Sequence, residues 1–185
     1  MCTSYTLLYF FTLSAYLLYY GKRGVPMNRQ LLQETRLLLE QQLPSDAAIR
    51  LYTEHMQSEL DTMANLLTLY EIEHRDRCVL MGCYWLLLQA MRTHEHLPHE
   101  PQAVARAVLD GDFLQSFYLQ FAMRHQFTDL ISKLAPALKV MQIRRAEGIQ
   151  EGETLHAIFS SYLAKRYSRR QRSKQRLKQV TYDVI

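Results

Sequence analysis

No stretch of this chain alternates apolar and polar residues for long enough to read as a strand, and no segment repeats another. Turn-formers are few as well, with six glycines and five prolines in 185 residues. A sheet-built architecture needs alternation and frequent turns, so both shortages point to helices. Cysteine is scarce: Cys2, Cys78 and Cys83 make neither a disulfide framework nor a metal-ligand spacing. Cys78 and Cys83, five apart, are poorly placed on one helical face. A reducing, cytoplasmic setting is the expectation. Also missing are a Gly-rich phosphate loop, HExxH, GxSxG and an Asp-rich magnesium motif.

Acid is absent from two regions. Residues 1–26 carry Lys22 and Arg23 and no carboxylate. Residues 165–178 hold Lys165, Arg166, Arg169, Arg170, Arg172, Lys174, Arg176 and Lys178, again with none. The span 27–164 then keeps 12 basic side chains against 17 acidic ones, so the net charge of +4 hides an acidic body with a basic tail. An acidic body does not favour nucleic acid, although the tail offers cations to phosphates or to an anionic membrane surface. The expected organisation is an apolar segment over 1–26, an all-α domain over 27–164 and a basic tail over 165–185. Residues 1–20 are long and apolar enough to be read as a membrane anchor. The preferred reading is that Met27 is the native start and that 1–26 is translated upstream sequence, since the Lys22-Arg23-Gly24 run can be encoded by a purine-rich ribosome-binding site.

Leu31, Leu32, Leu38, Leu39 and Leu43 form a helical stripe that Pro44 ends. Ser45 is then expected to cap one long helix from Asp46 to about Glu73, carrying Ile49, Tyr52, Met56, Leu60, Met63, Leu67 and Tyr70 at three- and four-residue steps. His74-Arg75-Asp76 interrupts the pattern. Cys78 to Met91 is almost continuously apolar, with Gln89 its strongly polar member, and is too short to span a bilayer, so it reads as a central buried helix. Gly82 suits a close helix crossing. Pro98 and Pro101 end helical structure. Asp110-Gly111-Asp112 is expected to be a turn in which Asp110 or Asp112 caps a helix carrying Phe113, Leu114, Phe117, Tyr118 and Phe121, with Leu119 and Met123 widening its apolar arc. Thr128 or Asp129 opens a further helix, with Pro136 kinking or breaking it. Gly148 and Gly152 bracket a turn before a last helix with Leu155, Ile158, Phe159, Tyr162 and Leu163.

The densest set of ligand types is His94, Glu95, His96 and His99. Imidazoles with a carboxylate can bind zinc, but the spacing matches no zinc signature and reads first as a solvated polar loop.

The order of these features resembles the trans-prenyl diphosphate synthase family, and within it the small, non-catalytic component of the two-component hexaprenyl and heptaprenyl diphosphate synthases of Gram-positive bacteria. The resemblance covers roughly residues 45–165. Leu109-Asp110-Gly111-Asp112-Phe113 is similar to the LxGDF/Y segment of both components, and Leu86–Met91 with Thr93-His94-Glu95-His96-Leu97 looks like the apolar helix that runs into a THDEV-type sequence in small components. The resemblance implies a helical bundle like a truncated isoprenoid synthase. Where catalytic members carry HDDxxD to hold magnesium, Glu95, His96 and His99 stand at the aspartate positions, and imidazole is a poor magnesium ligand. Only 11 residues separate His99 from Gly111, too few for the basic diphosphate-binding loop of those members. Their second aspartate-rich motif does not occur in these 185 residues.

What the resemblance implies is therefore a regulatory subunit with no catalytic residue of its own. It would heterodimerise with a DDxxD-bearing large subunit whose magnesium ions do the chemistry, making long-chain polyprenyl diphosphate for the menaquinone side chain from farnesyl and isopentenyl diphosphates. Phe113, Leu114, Phe117, Tyr118, Phe121, Leu134, Leu138 and Met141 are the expected core or interface anchors. The alternatives are a membrane-anchored helical scaffold and a nucleic-acid-binding helical protein using its basic tail.

Overall fold

Thirteen consecutive residues, Cys78 through Ala90, are buried on every side of one helix, and the rest of the chain is laid around it. In this computed structural model residues 27–44, 47, 49–149 and 154–167 are described. They form six helices and no strand: α1 (Met27–Glu40), α2 (Gln57–Thr68), α3 (His74–Glu95), α4 (Pro101–Arg124), α5 (Thr128–Ala146) and α6 (155–167). The all-α expectation holds. A helix apolar all round must be enclosed by neighbours. α4, α1 and α2 supply three of them, and α6 closes another side, where Phe159 meets Tyr84 edge to face at 5.2 Å. Among the described residues no helix is long and apolar enough to cross a membrane. The apolar segment 1–20, the helix cap expected at Ser45 and the tail beyond Tyr167 lie outside the described residues.

α1 buries Leu31, Leu32, Leu38 and Leu39, the stripe read from the sequence. The single helix expected over 46–73 is a correction: residues 49–53 are non-helical and α2 starts only at Gln57. The cause lies in α3. Gln89 donates Nε2 to the Arg50 carbonyl at 2.7 Å and accepts from the Tyr52 N–H at 3.1 Å, while Trp85 Nε1 donates to the Tyr52 carbonyl at 3.0 Å. Backbone groups that a helix would have used internally are taken by two side chains some 35 residues away, and a buried amide such as Gln89 needs those partners. Met56, Leu60, Met63 and Leu67 keep the expected buried stripe; Tyr52 does not, and is exposed.

Asp110-Gly111-Asp112 is the second correction. It opens no helix, because α4 begins nine residues earlier with Pro101 at its first position and runs straight through it. Glycine costs a helix interior only about 1 kcal/mol, and here packing accounts for it: a Cβ at Gly111 would lie 2.5 Å from His94 Nε2. Asp110 pairs with Arg106 one turn back at 2.8 Å instead of capping. α5 likewise passes through Pro136, which is solvent-exposed, so the carbonyl it strands can be hydrated.

The C-terminal ends of α4 and α5 are each closed by paired back-bonds. Phe127 N–H reaches Ala122 O at 2.8 Å and Gln126 N–H reaches Met123 O at 3.0 Å, with Gln126 at φ 63°. Ile149 and Gly148 repeat the motif on Arg144 and Arg145, with Gly148 at φ 73°. α6 carries Leu155, Ile158, Phe159, Tyr162 and Leu163 into the core as expected. It also carries Arg166 and the buried Tyr167, which the sequence grouped with the basic tail.

Candidate functional site

The C-terminal end of α3 meets α2, α4 and α5 through charged side chains, and this junction is where the sequence placed its candidate ligands. Arg92 on α3 binds Glu59 of α2 at 2.5 Å and Glu95 at 3.2 Å. Glu95 in turn holds Arg145 of α5 at 2.6 Å. The hydrogen bond that Arg92 donates to Glu59 holds its guanidinium above the ordinary range, and burial works against it. His94 points across to α4, with its Nε2 3.4 Å from Asp112 Oδ1. His96 follows the helix end and bonds back to the Arg92 carbonyl through Nδ1 at 3.1 Å. His99 lies exposed in the connecting loop.

The four candidate ligands His94, Glu95, His96 and His99 are thus dispersed to different partners. Among the described residues they do not converge on a point a metal could occupy. The sequence put them on a loop, whereas His94 and Glu95 belong to α3, where a helical step aims neighbours about 100° apart.

Beside this junction lies a half-open cleft of about 1530 Å³ between α3, α4, the second half of α5 and the start of α6. Tyr84, Leu87, Leu88, Met91 and Leu155 line its apolar wall, and Arg92, Glu95, Arg144 and Arg145 form part of its rim. Tyr84 is buried at its wall, and burial together with the Glu59 charge pushes its phenol up to about 12. The phenol therefore stays neutral at physiological pH.

Of the residues named as core or interface anchors, Leu114, Phe117, Tyr118, Phe121, Leu134 and Leu138 are buried within the chain itself. Phe113 and Met141 are half-buried against the same core. Phe113 and Phe117 stack at 6.0 Å between ring centroids. What α4 turns outward is Leu109, Leu119 and Met123, which are 65%, 38% and 56% exposed. Positions 109, 116 and 123 are seven apart, so with Leu119 they occupy one outward arc of about 80° at 100° per residue. α5 adds Val140 and Ile143, both about half exposed. The helices that carry these anchors also turn apolar side chains outward, other ones than the aromatics.

A third grouping was not foreseen. Glu34 of α1, His74 at the start of α3 and Cys78 one turn on bring a carboxylate, an imidazole and a thiol together. The Glu34 and His74 side chains are hydrogen-bonded, and Cys78 Sγ lies 3.9 Å from Glu34 Oε2 and 3.8 Å from His74 Nε2. Contact with Cys78 and Glu34 pushes the His74 imidazole up to about 10, against the opposing effect of burial. Burial pushes the Glu34 carboxyl up, but its hydrogen bonds from His74 and Gln30 outweigh that and hold it below the ordinary range. The His74–Cys78 spacing of four was the readable part of this signal; Glu34, 40 residues earlier, was not.

Comparison with protein-family models, with curated proteins and with solved structures finds no match to this chain.

Proposed function

We propose that this chain is a non-catalytic subunit of a long-chain trans-prenyl diphosphate synthase, built on a truncated isoprenoid-synthase-like bundle and active only with a DDxxD-bearing catalytic partner. The observation that carries the reading is a pair of features on neighbouring helices. At the end of α3, Glu95, His96 and His99, where the resembled catalytic members have aspartates, are spent on arginine, backbone and solvent, and His94 lies against the exposed Asp112 of α4. On the outward face of α4, Leu109, Leu119 and Met123 stand in water beside Asp112 and Ser116. Ionising an allylic diphosphate needs metal ions and cationic charge on the departing pyrophosphate, and Arg92 and Arg145 at this junction are paired to carboxylates. Three large apolar side chains on the outward face of a helix whose opposite face is already packed suit a protein partner. The partner would supply magnesium and substrate sites, and the subunit would act by shaping that partner. The basic tail can add contact with an anionic membrane surface.

The test is co-expression with the catalytic synthase of the same host, followed by assay with farnesyl diphosphate, isopentenyl diphosphate and magnesium. Neither protein alone should make long polyprenyl diphosphate, while the co-purified pair should. Leu109→Glu with Met123→Glu should abolish co-purification while leaving the helical content of the chain unchanged. A pair that elutes separately and stays inactive overturns the reading.

A further inference from the structure

Glu34, His74 and Cys78 meet where α1 packs on the start of α3, and their grouping stands whether or not the chain serves a prenyl synthase. We propose that these three side chains form a binding site for a borderline-soft divalent transition metal, zinc foremost, which ties α1 to the first turns of α3. His74 and Cys78 are four apart on one helix, so they project from the same face one turn apart. Glu34 reaches them from α1. Their ligand atoms all lie within 4.8 Å of one another.

The distances suit a small tetrahedral ion. Zinc–sulfur bonds of about 2.3 Å and zinc–nitrogen or –oxygen bonds of about 2.0–2.1 Å set ligand–ligand edges of roughly 3.5 Å. The two edges from Cys78 Sγ, 3.8 Å to His74 Nε2 and 3.9 Å to Glu34 Oε2, need to close by only a few tenths of an ångström. The His74–Glu34 edge, a hydrogen bond here, opens as the metal takes the place of the shared proton. Gln30 Nε2 donates to the other oxygen, Glu34 Oε1, at 3.0 Å, which fixes the carboxylate with Oε2 toward the cluster.

Access and ligand type narrow the ion. The Glu34 side chain is 2% exposed and Cys78 is buried, whereas the His74 side chain is 49% exposed, so the metal enters past the imidazole and keeps its fourth position toward water. A thiol and an imidazole disfavour magnesium and calcium and suit zinc or its spectroscopic substitute cobalt. Charge also balances: exchanging the imidazolium and thiol protons for one dication leaves the cluster as neutral as before.

The experiment uses the full chain carrying Cys2→Ser, titrated anaerobically with cobalt(II). A near-ultraviolet thiolate-to-cobalt charge-transfer band should grow to one equivalent and vanish when zinc is added. It should be absent in Cys78→Ser, persist in Cys83→Ala, and need at least about tenfold more metal in His74→Gln and in Glu34→Gln. Far-ultraviolet circular dichroism checks that each variant keeps its helices. His74→Gln, the half-exposed ligand, supplies the decision if Cys78→Ser does not fold. Binding by the histidines of 94–99 gives no thiolate band and so is not mistaken for this site. No band in the Cys2→Ser chain, a band that survives Cys78→Ser, or an affinity untouched by His74→Gln overturns the proposal and leaves a proton-sharing ion pair.

Discussion

The imidazole of His94 lies against Gly111, so close that a Cβ on the glycine would meet Nε2 at 2.5 Å and Cε1 at 2.7 Å. α3 and α4 approach here because position 111 has no side chain. In Gly111→Ala a helix-propensity gain of about 1 kcal/mol competes with displacement of the ring and loss of its contact with Asp112. The ring is partly exposed and can swing outward, so the single variant should stay within about 0.5 kcal/mol of the parent. In a His94→Ala background the same substitution should stabilise by about 1 kcal/mol. Urea unfolding of the four proteins measures the coupling; identical effects in both backgrounds would contradict the contact.

Gly82 poses the same question where nothing can yield. Its Cβ would lie 2.9 Å from Phe121 Cε1 and 3.3 Å from Leu39 Cδ2, and both side chains are fully buried. Overpacking costs about 1–3 kcal/mol and exceeds the propensity gain. Gly82→Ala should therefore destabilise by about 1–2 kcal/mol in the same urea experiment, opposite in sign to Gly111→Ala without His94.

Gln89→Leu should cost about 2 kcal/mol although it makes α3 more apolar. It removes the partners of Arg50 O and Tyr52 N and leaves part-buried backbone groups unpaired. Gln89→Glu should be worse, since a buried carboxylate cannot donate to the Arg50 carbonyl. Thermal melts rank the three proteins, and Gln89→Leu matching the parent would remove the clasp from the account of the fold.

His125 sets a pH dependence. Its ring packs on Phe121 at 4.7 Å, Gln42 meets Nε2 at 3.0 Å, and the buried Nδ1 has no hydrogen-bond partner. Burial, with the charges of Arg75 and Arg124, holds its pKa below the ordinary value of 6.5. The unfolded chain then binds the proton first, so stability is lost as pH falls below about 6.5 toward the depressed value. Melting temperatures between pH 7.5 and pH 5 should fall more steeply in the parent than in His125→Gln. Parallel curves would mean that the imidazole is solvated.

Much of this arrangement was legible because it is local. Cys78–Met91 announces a buried helix by composition alone, and the stripes of α1, α5 and α6 follow the helical period. What escaped was set by distant contacts. Residues 49–53 carry a helical pattern but surrender their backbone to Gln89 and Trp85. Asp110-Gly111-Asp112 reads as a turn until His94 accounts for the glycine. The Glu34–His74–Cys78 grouping depends on two helices meeting, and no spacing along the chain encodes that. The outward face of α4 was legible as an excess of apolar residues, but which of them face water was decided by the packing of α3.

The enclosure of α3 also has a kinetic side. Amides over 78–90 have neighbours on every side, so they should exchange with deuterated water only through opening of the whole molecule. The second half of α5 is mostly solvent-facing from Lys139 onward and should exchange through local fraying. Protection that later spreads along α5 would mark a surface being covered, so the slow centre of the chain supplies the clock against which docking can be read.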